Sequence, residues 1–175
     1  MNQDPIIKFF RGTGTDHAGR RHADILAWPD HRLESVHDYI QWLFPLRRRS
    51  GFNPSAPVLT PETIEAFWWD RDLRDALLAG FRRMAAFYGF SIQSFADGEM
   101  QLDPVQDFAV RSRSWLTGGN HNFLRLTRIL TSLRTLGCQD EAEALFDALD
   151  LVYKRNRTLI GDKTYGFWSS AVRRR

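Results

Sequence analysis

Apolar residues recur along the chain with a helical period, and the alternation of a β-strand is nearly absent. The pattern predicts a short helix from His22 to Trp28, stopped by Pro29. A second runs from Leu33 to Leu43 with Val36, Tyr39, Ile40 and Leu43 on one face. Trp42 and Phe44 flank that face, so this helix is apolar around much of its circumference and is expected at the centre. Thr60 and Pro61 read as N-cap and first helical residue, with Ile64, Phe67 and Trp68 inward. Asp70 caps a longer helix to Tyr88, in which Gly80 would permit close approach and which Gly89 ends. Gly119 or Asn120 opens the next, with Phe123, Leu126, Ile129, Leu130, Leu133 and Leu136 buried, and Gly137 closes it. A helix from Asp140 to Arg155 has acids at its start and bases at its end, matching the dipole, with Phe146 and Tyr153 among its inward residues. A last one, Asp162 to Arg173, turns Tyr165, Trp168 and Val172 inward. Residues 1–22 and 90–118 lack a firm period and read as irregular, the latter a long connection with short extended pieces. The expected architecture is all-α: one domain over residues 1–175, a bundle of about six helices with one long irregular connection.

Composition narrows the functional classes. Of 175 residues 43% are hydrophobic and 13% aromatic, enough for a packed core and too many for a largely disordered chain. No apolar run approaches the roughly 20 residues of a spanning helix, and the start, Met1-Asn2-Gln3-Asp4-Pro5, has neither a basic nor an apolar leader. A cytoplasmic location is expected. The single Cys138 excludes an internal disulfide and, just past a helix end, reads as a structural thiol. Twenty-four Lys and Arg against 21 Asp and Glu leave only +3. Two clusters, Arg47-Arg48-Arg49 and Arg173-Arg174-Arg175, hold much of the excess, and so small a surplus argues against a nucleic-acid partner.

Candidate chemistry gathers on two predicted helices. At 100° per residue His121, Arg125, Arg128 and Ser132 share a stripe opposite the apolar one, near a helix start preceded by Gly118-Gly119. Two guanidinium forks and an imidazole there could hold a carboxylate or phosphate. The structural alternative pairs Arg125 and Arg128 with acids of neighbouring helices, such as Asp38 or Glu34. On the 33–43 helix, Gln41 lies opposite the core face and, beside Trp42, could border a peptide groove or fix packing. His37 and Asp38 are adjacent on a helix and point about 100° apart, so they form no catalytic pair. Trp69 falls off its helix's apolar face and suits either a partner surface or burial against the next helix. The five His show no helix-face metal spacing, and Gly12-x-Gly14 lacks the third glycine and the strand–helix context of a nucleotide fingerprint. No catalytic residue, metal or cofactor is expected.

Several blocks, in order, resemble one family. They are Phe10-Arg11-Gly12, His37-Asp38-Tyr39-Ile40-Gln41-Trp42-Leu43-Phe44-Pro45, Phe52-Asn53-Pro54, Phe87-Tyr88-Gly89, His121-Asn122-x-Leu124-Arg125-Leu126-Thr127-Arg128, and Tyr165-Gly166-Phe167-Trp168. Together they resemble the conserved domain of the opioid growth factor receptor family. The resemblance implies no catalytic residues. In animal members it implies binding of methionine-enkephalin, restraint of proliferation and a nuclear or perinuclear location. The repeats and nuclear-import signals of those members are not seen in this sequence, which gives the expectation of a bacterial single-domain member whose ligand is not an opioid peptide. The function expected is a non-catalytic peptide- or protein-binding module with an aromatic groove and an Arg-lined rim. Its candidate ligand-binding residues are Tyr39, Gln41, Trp42, His121, Asn122, Arg125 and Arg128. The alternative is a protein or enzyme handling a small anionic ligand on the His121, Arg125 and Arg128 face.

Overall fold

Asp4 opens the first helix, α1 (Pro5–Phe10), by accepting the amides of Ile6 at 2.7 Å and Ile7 at 3.3 Å, with Pro5 at the first helical position. Ile6, Ile7, Phe9 and Phe10 are buried, so the stretch expected to be irregular begins with a core helix. Six residues are too few for a period to show, and Gly12, Gly14 and Gly19 beyond them dilute the signal. This computed structural model describes residues 4–95 and 99–173. Met1, Asn2 and Gln3, and Arg174 and Arg175 of the C-terminal cluster, lie outside the described residues.

The chain forms two compact units. The first takes the residues up to Arg83 together with Thr135–Gly137, and the second takes Met84–Arg134 and the residues from Cys138 onward. In the first, α1 is followed by α2 (His22–Leu26), α3 (Asp30–Ser35), α4 (Ile40–Leu43), α5 (Pro61–Trp69) and α6 (Arg71–Tyr88), whose last residues belong to the second unit. The single helix expected over 33–43 is two short ones. Val36 is extended, at φ −96° and ψ 132°, and Asp38 is drawn away by Arg20 at 2.9 Å, while Asn53 Nδ2 donates to the Asp38 carbonyl at 2.9 Å. These contacts outweigh a helix propensity already weakened by the β-branched Val36. The Thr60 and Asp70 caps form as expected: Thr60 Oγ1 accepts the Thr63 amide at 3.2 Å, and Asp70 Oδ1 accepts the Asp72 amide at 2.9 Å. The Thr63 hydroxyl donates in turn to Asp4, tying α5 to the α1 cap. A Cβ on Gly80 would meet Phe44 at 3.8 Å, an ordinary contact, so the close approach expected there is not what the glycine serves.

In the second unit α6 ends at Gly89, with φ +86° and a would-be Cβ 3.1 Å from Phe108, so only glycine fits without strain. An antiparallel hairpin follows, β1 (Phe90–Ser94) with β2 (Met100–Pro104), in register from Phe90↔Pro104 to Ser94↔Met100. Then come α7 (Phe108–Arg111), a 3₁₀ turn over Ser112–Ser114, α8 (Asn122–Thr135), α9 (Gln139–Arg155), α10 (Arg157–Ile160) and α11 (Asp162–Val172). Helices dominate, and the all-α class holds with this one small sheet. Trp115 and Trp168 are fully buried and donate to the carbonyls of Tyr88 and Phe123, each at 3.1 Å. Leu43, Phe67, Leu126, Leu130 and Leu133, all expected inward, are fully buried, as are Leu77, Met84 and Leu149, while Phe87 is 3% exposed. Trp68, expected inward, is 56% exposed: its indole lies along the Gly137 turn and donates to the Thr135 carbonyl at 3.2 Å. Phe146, Tyr153 and Tyr165, also expected inward, are half-buried, because Tyr153 and Tyr165 stack at 4.1 Å and aim their hydroxyls at the polar Asp162 and Asp150.

Two consequences are measurable. Leu130→Ala should lower unfolding free energy by about 2–5 kcal/mol in urea titrations, whereas a change within error would place Leu130 at the surface. His22 is buried edge-on to Phe9, and burial pushes its pKa down to about 4. The unfolded chain binds a proton near 6.5 that the folded state resists, so stability is highest above 6.5 and falls as pH drops towards 4. The fall is about 3 kcal/mol, and His22→Phe should remove that part of the slope.

Candidate functional site

The start of α8 is held from inside the second unit. Asn120 Oδ1 accepts the Asn122 amide at 2.9 Å, while its Nδ2 donates to the Ser114 carbonyl at 3.1 Å and Thr117 Oγ1 at 2.9 Å. Asn122 is fully buried, and its Oδ1 accepts the Tyr88 hydroxyl at 3.2 Å and Arg125 Nη1 at 3.3 Å. Its Nδ2 donates to Asn120 Oδ1 at 3.0 Å and faces His121 Nε2 at 3.4 Å. A buried carboxamide satisfied on both ends stabilises one conformation and is costly to disturb.

The stripe of His121, Arg125, Arg128 and Ser132 is therefore not the open face the helical wheel suggests. Arg125 is 5% exposed and Ser132 is fully buried. Arg128 is half-buried, and desolvation pushes its pKa down to about 10. His121 is half-buried and lines an opening. It joins Gly119, Asn120, Leu124 and Thr127 of the α8 start, and Lys163, Thr164 and Phe167 of α11, around a cleft of about 190 Å³. Leu124 is 54% and Phe167 47% exposed, so the cleft offers an apolar floor to solvent. Lys163 and the start of α8, the positive end of its dipole, border the cleft. That combination suits an apolar side chain carrying a carboxylate nearby.

Residues 25–175 match the opioid growth factor receptor (OGFr) conserved region. The chain belongs to this family. It is 41% identical over 119 residues to the opioid growth factor receptor of Rattus norvegicus, which covers 66% of this chain and 20% of that protein. The human receptor is 38% identical over the same length, covering 66% and 17%. The opioid growth factor receptor-like protein 1 of Mus musculus is 37% identical over 112 residues, covering 61% and 22%. The chain thus spans about a fifth of the length of the curated relatives it matches. These relatives are animal proteins and lend the expected bacterial source no support. No solved structure matches the chain.

Within this OGFr region the three candidates from α4 and its approach lie in the first unit and are buried. Tyr39 is fully buried, with its hydroxyl donating to the Leu33 carbonyl at 3.0 Å. Gln41 Nε2 donates to the His37 carbonyl at 3.4 Å, and its Oε1 has no hydrogen-bond partner among the described residues. Trp42 is 5% exposed, and its indole donates to His17 Nδ1 at 3.1 Å. That bond fixes the His17 tautomer with its proton on Nε2, 3.1 Å from Asp38 Oδ2. Burial works against ionisation of Asp38, but the Arg20 hydrogen bond and charge, with His17, hold its carboxyl below the ordinary range. Trp42 is thus part of a packed polar–aromatic cluster, not the wall of an open groove. Sequence reasoning missed His17 and Arg20 here, and Leu124, Lys163 and Phe167 at the cleft. Leu124 and Phe167 were detectable as apolar residues off their helices' buried stripes.

Among the described residues no group of three His, Cys, Asp or Glu is placed to hold a metal ion, and no helix is long and apolar enough to cross a membrane. The network makes its own prediction. Asn122→Ala removes the bonds that its buried oxygen accepts from the Tyr88 hydroxyl and Arg125 and should destabilise the protein by about 1–3 kcal/mol, read by thermal or urea unfolding. A variant as stable as the parent would show that the amide holds nothing.

Proposed function

We propose that this OGFr conserved region is a non-catalytic module that binds a peptide segment in the α8–α11 cleft. The observation that carries the reading is the pairing of two exposed apolar side chains, Leu124 and Phe167, with Lys163 and His121 at one opening. An apolar peptide side chain would cover Leu124 and Phe167, and a peptide carboxylate would lie against Lys163 and the first turn of α8. Two further things support it. The relatives are named as receptors for a growth factor, and the polar residues beside the cleft form a scaffold whose members bond to one another. Asn122 and Arg125 then act as supports of the site, with His121 the bridge between support and ligand. We place the protein in the cytoplasm, with peptide as the partner class.

Methionine-enkephalin, with its terminal carboxylate next to an apolar residue, is the direct probe. Calorimetric titration should show binding that Phe167→Ser and Lys163→Gln each weaken by roughly tenfold, about 1.4 kcal/mol. Amidating the peptide's C-terminus should weaken it likewise. Neither variant touches a buried side chain of the core, so melting temperatures should stay within about a degree of the parent. Absence of binding, or binding indifferent to Phe167, would contradict the reading.

A further inference from the structure

The first unit carries a second surface that the cleft does not explain. Glu62, Glu65, Ala66 and Trp69 fall on one stripe of α5, at helical spacings of three and four. The chain turns at Asp70, and the first residues of α6 form the other wall of an open groove of about 810 Å³. Ala66 leaves the floor shallow. Trp69 is 81% exposed and has no hydrogen bond or ring contact among the described residues, whereas the neighbouring Trp68 indole is committed to the Thr135 carbonyl.

Charge around this indole is one-sided. Three nearby cations are already engaged: Arg11 with Asp70 at 2.7 Å, Arg71 with Asp75 at 3.6 Å, and Arg74 with the carbonyls of Phe67 and Trp68. Glu62, Glu65 and Asp72 are exposed and have no ion-pair partner among the described residues. Glu62 and Asp72 stand in the first turns of α5 and α6, where the helix dipole favours acids. Glu65 has no such reason, since it lies mid-helix beside Trp69. The Thr60 hydroxyl bond further holds the Glu62 carboxyl below its ordinary range, keeping it ionised. A chain with a net charge of +3 therefore presents a local excess of negative charge around an exposed indole face.

An indole face among carboxylates attracts cations twice, through the ring quadrupole and through the charges. We propose that this groove docks a basic segment of a partner protein, one Lys or Arg side chain lying over the Trp69 ring and a second meeting Glu62 and Glu65. This surface is independent of the α8–α11 cleft and recognises the opposite charge.

The test uses the full chain and a fluorescein-labelled acetyl-Lys-Arg-Lys-Arg-amide peptide followed by fluorescence anisotropy. The peptide should bind and weaken steeply between 50 and about 500 mM salt. Trp69→Ala should lower affinity at least about fivefold, Trp69→Phe less, and Glu65→Gln at least about threefold, all with an unchanged melting temperature. Phe167→Ser, at the other site, should have no effect. Equal binding by the parent and Trp69→Ala would overturn the proposal, as would equal binding of a Glu-substituted peptide. Salt-sensitive self-association lost in Trp69→Ala would overturn it too, by assigning the groove to a second copy of the chain.

Discussion

One buried carboxamide organises the second unit. Asn122 sits at the first position of α8 with no exposed surface, so every one of its hydrogen bonds must come from the protein. Its oxygen gathers the Tyr88 hydroxyl from the end of α6 and the Arg125 guanidinium from the next turn of α8, while its amide group returns to Asn120. Asn120 in turn reaches the Ser114 carbonyl and the Thr117 hydroxyl, and the Trp115 indole closes on the Tyr88 carbonyl. The end of α6, 34 residues away, and the nearby 114–117 stretch are thereby fixed to one helix start. Each bond is worth only about 1 kcal/mol net, but breaking one of the buried ones, to Tyr88, Arg125 or Trp115, costs more than breaking the exposed ones that Asn120 makes to Ser114 and Thr117.

That constraint has a functional consequence. A helix N-terminus is a useful anion-facing element only if its first turn is held at a defined angle. The Asn120–Asn122 network holds this turn, and His121 and Leu124 beside it line the cleft with Lys163 and Phe167 of α11. Arg125 is the clearest example of the division of labour. It carries the chemistry of an anion site, yet it is directed inward as a strut. At the α5–α6 junction of the first unit the pattern is the reverse, with acids and an exposed indole and the neighbouring cations already engaged.

Much of this was legible in the residues. The long helices, their Thr60, Asp70 and Gly89 boundaries and the leucine core follow from periodicity and capping, which are local signals. The family blocks likewise lie where residues 25–175 match the OGFr conserved region, although Phe10-Arg11-Gly12 falls ahead of that match. What was not legible depends on partners distant in the chain. The break at Val36 arises because Asp38 and its backbone are claimed by Arg20, His17 and Asn53. The burial of Trp42 depends on His17, a residue in a glycine-containing stretch with no pattern of its own. A helical wheel separates polar from apolar faces, but it cannot tell a polar face turned to solvent from one turned into a hydrogen-bond network. That is why His121, Asn122, Arg125 and Arg128 were identified as a group while their orientation was not.

The central claim is that the buried Asn122 network holds the α8 start in place. Amide hydrogen exchange over residues 122–127, compared between the parent and Tyr88→Phe, tests it most directly. That substitution removes one hydroxyl and keeps the ring packed against Trp115 and Phe87. The account predicts that protection in the first turns of α8 drops by roughly tenfold while α9 exchanges as before. Unaltered protection at the α8 start would contradict it.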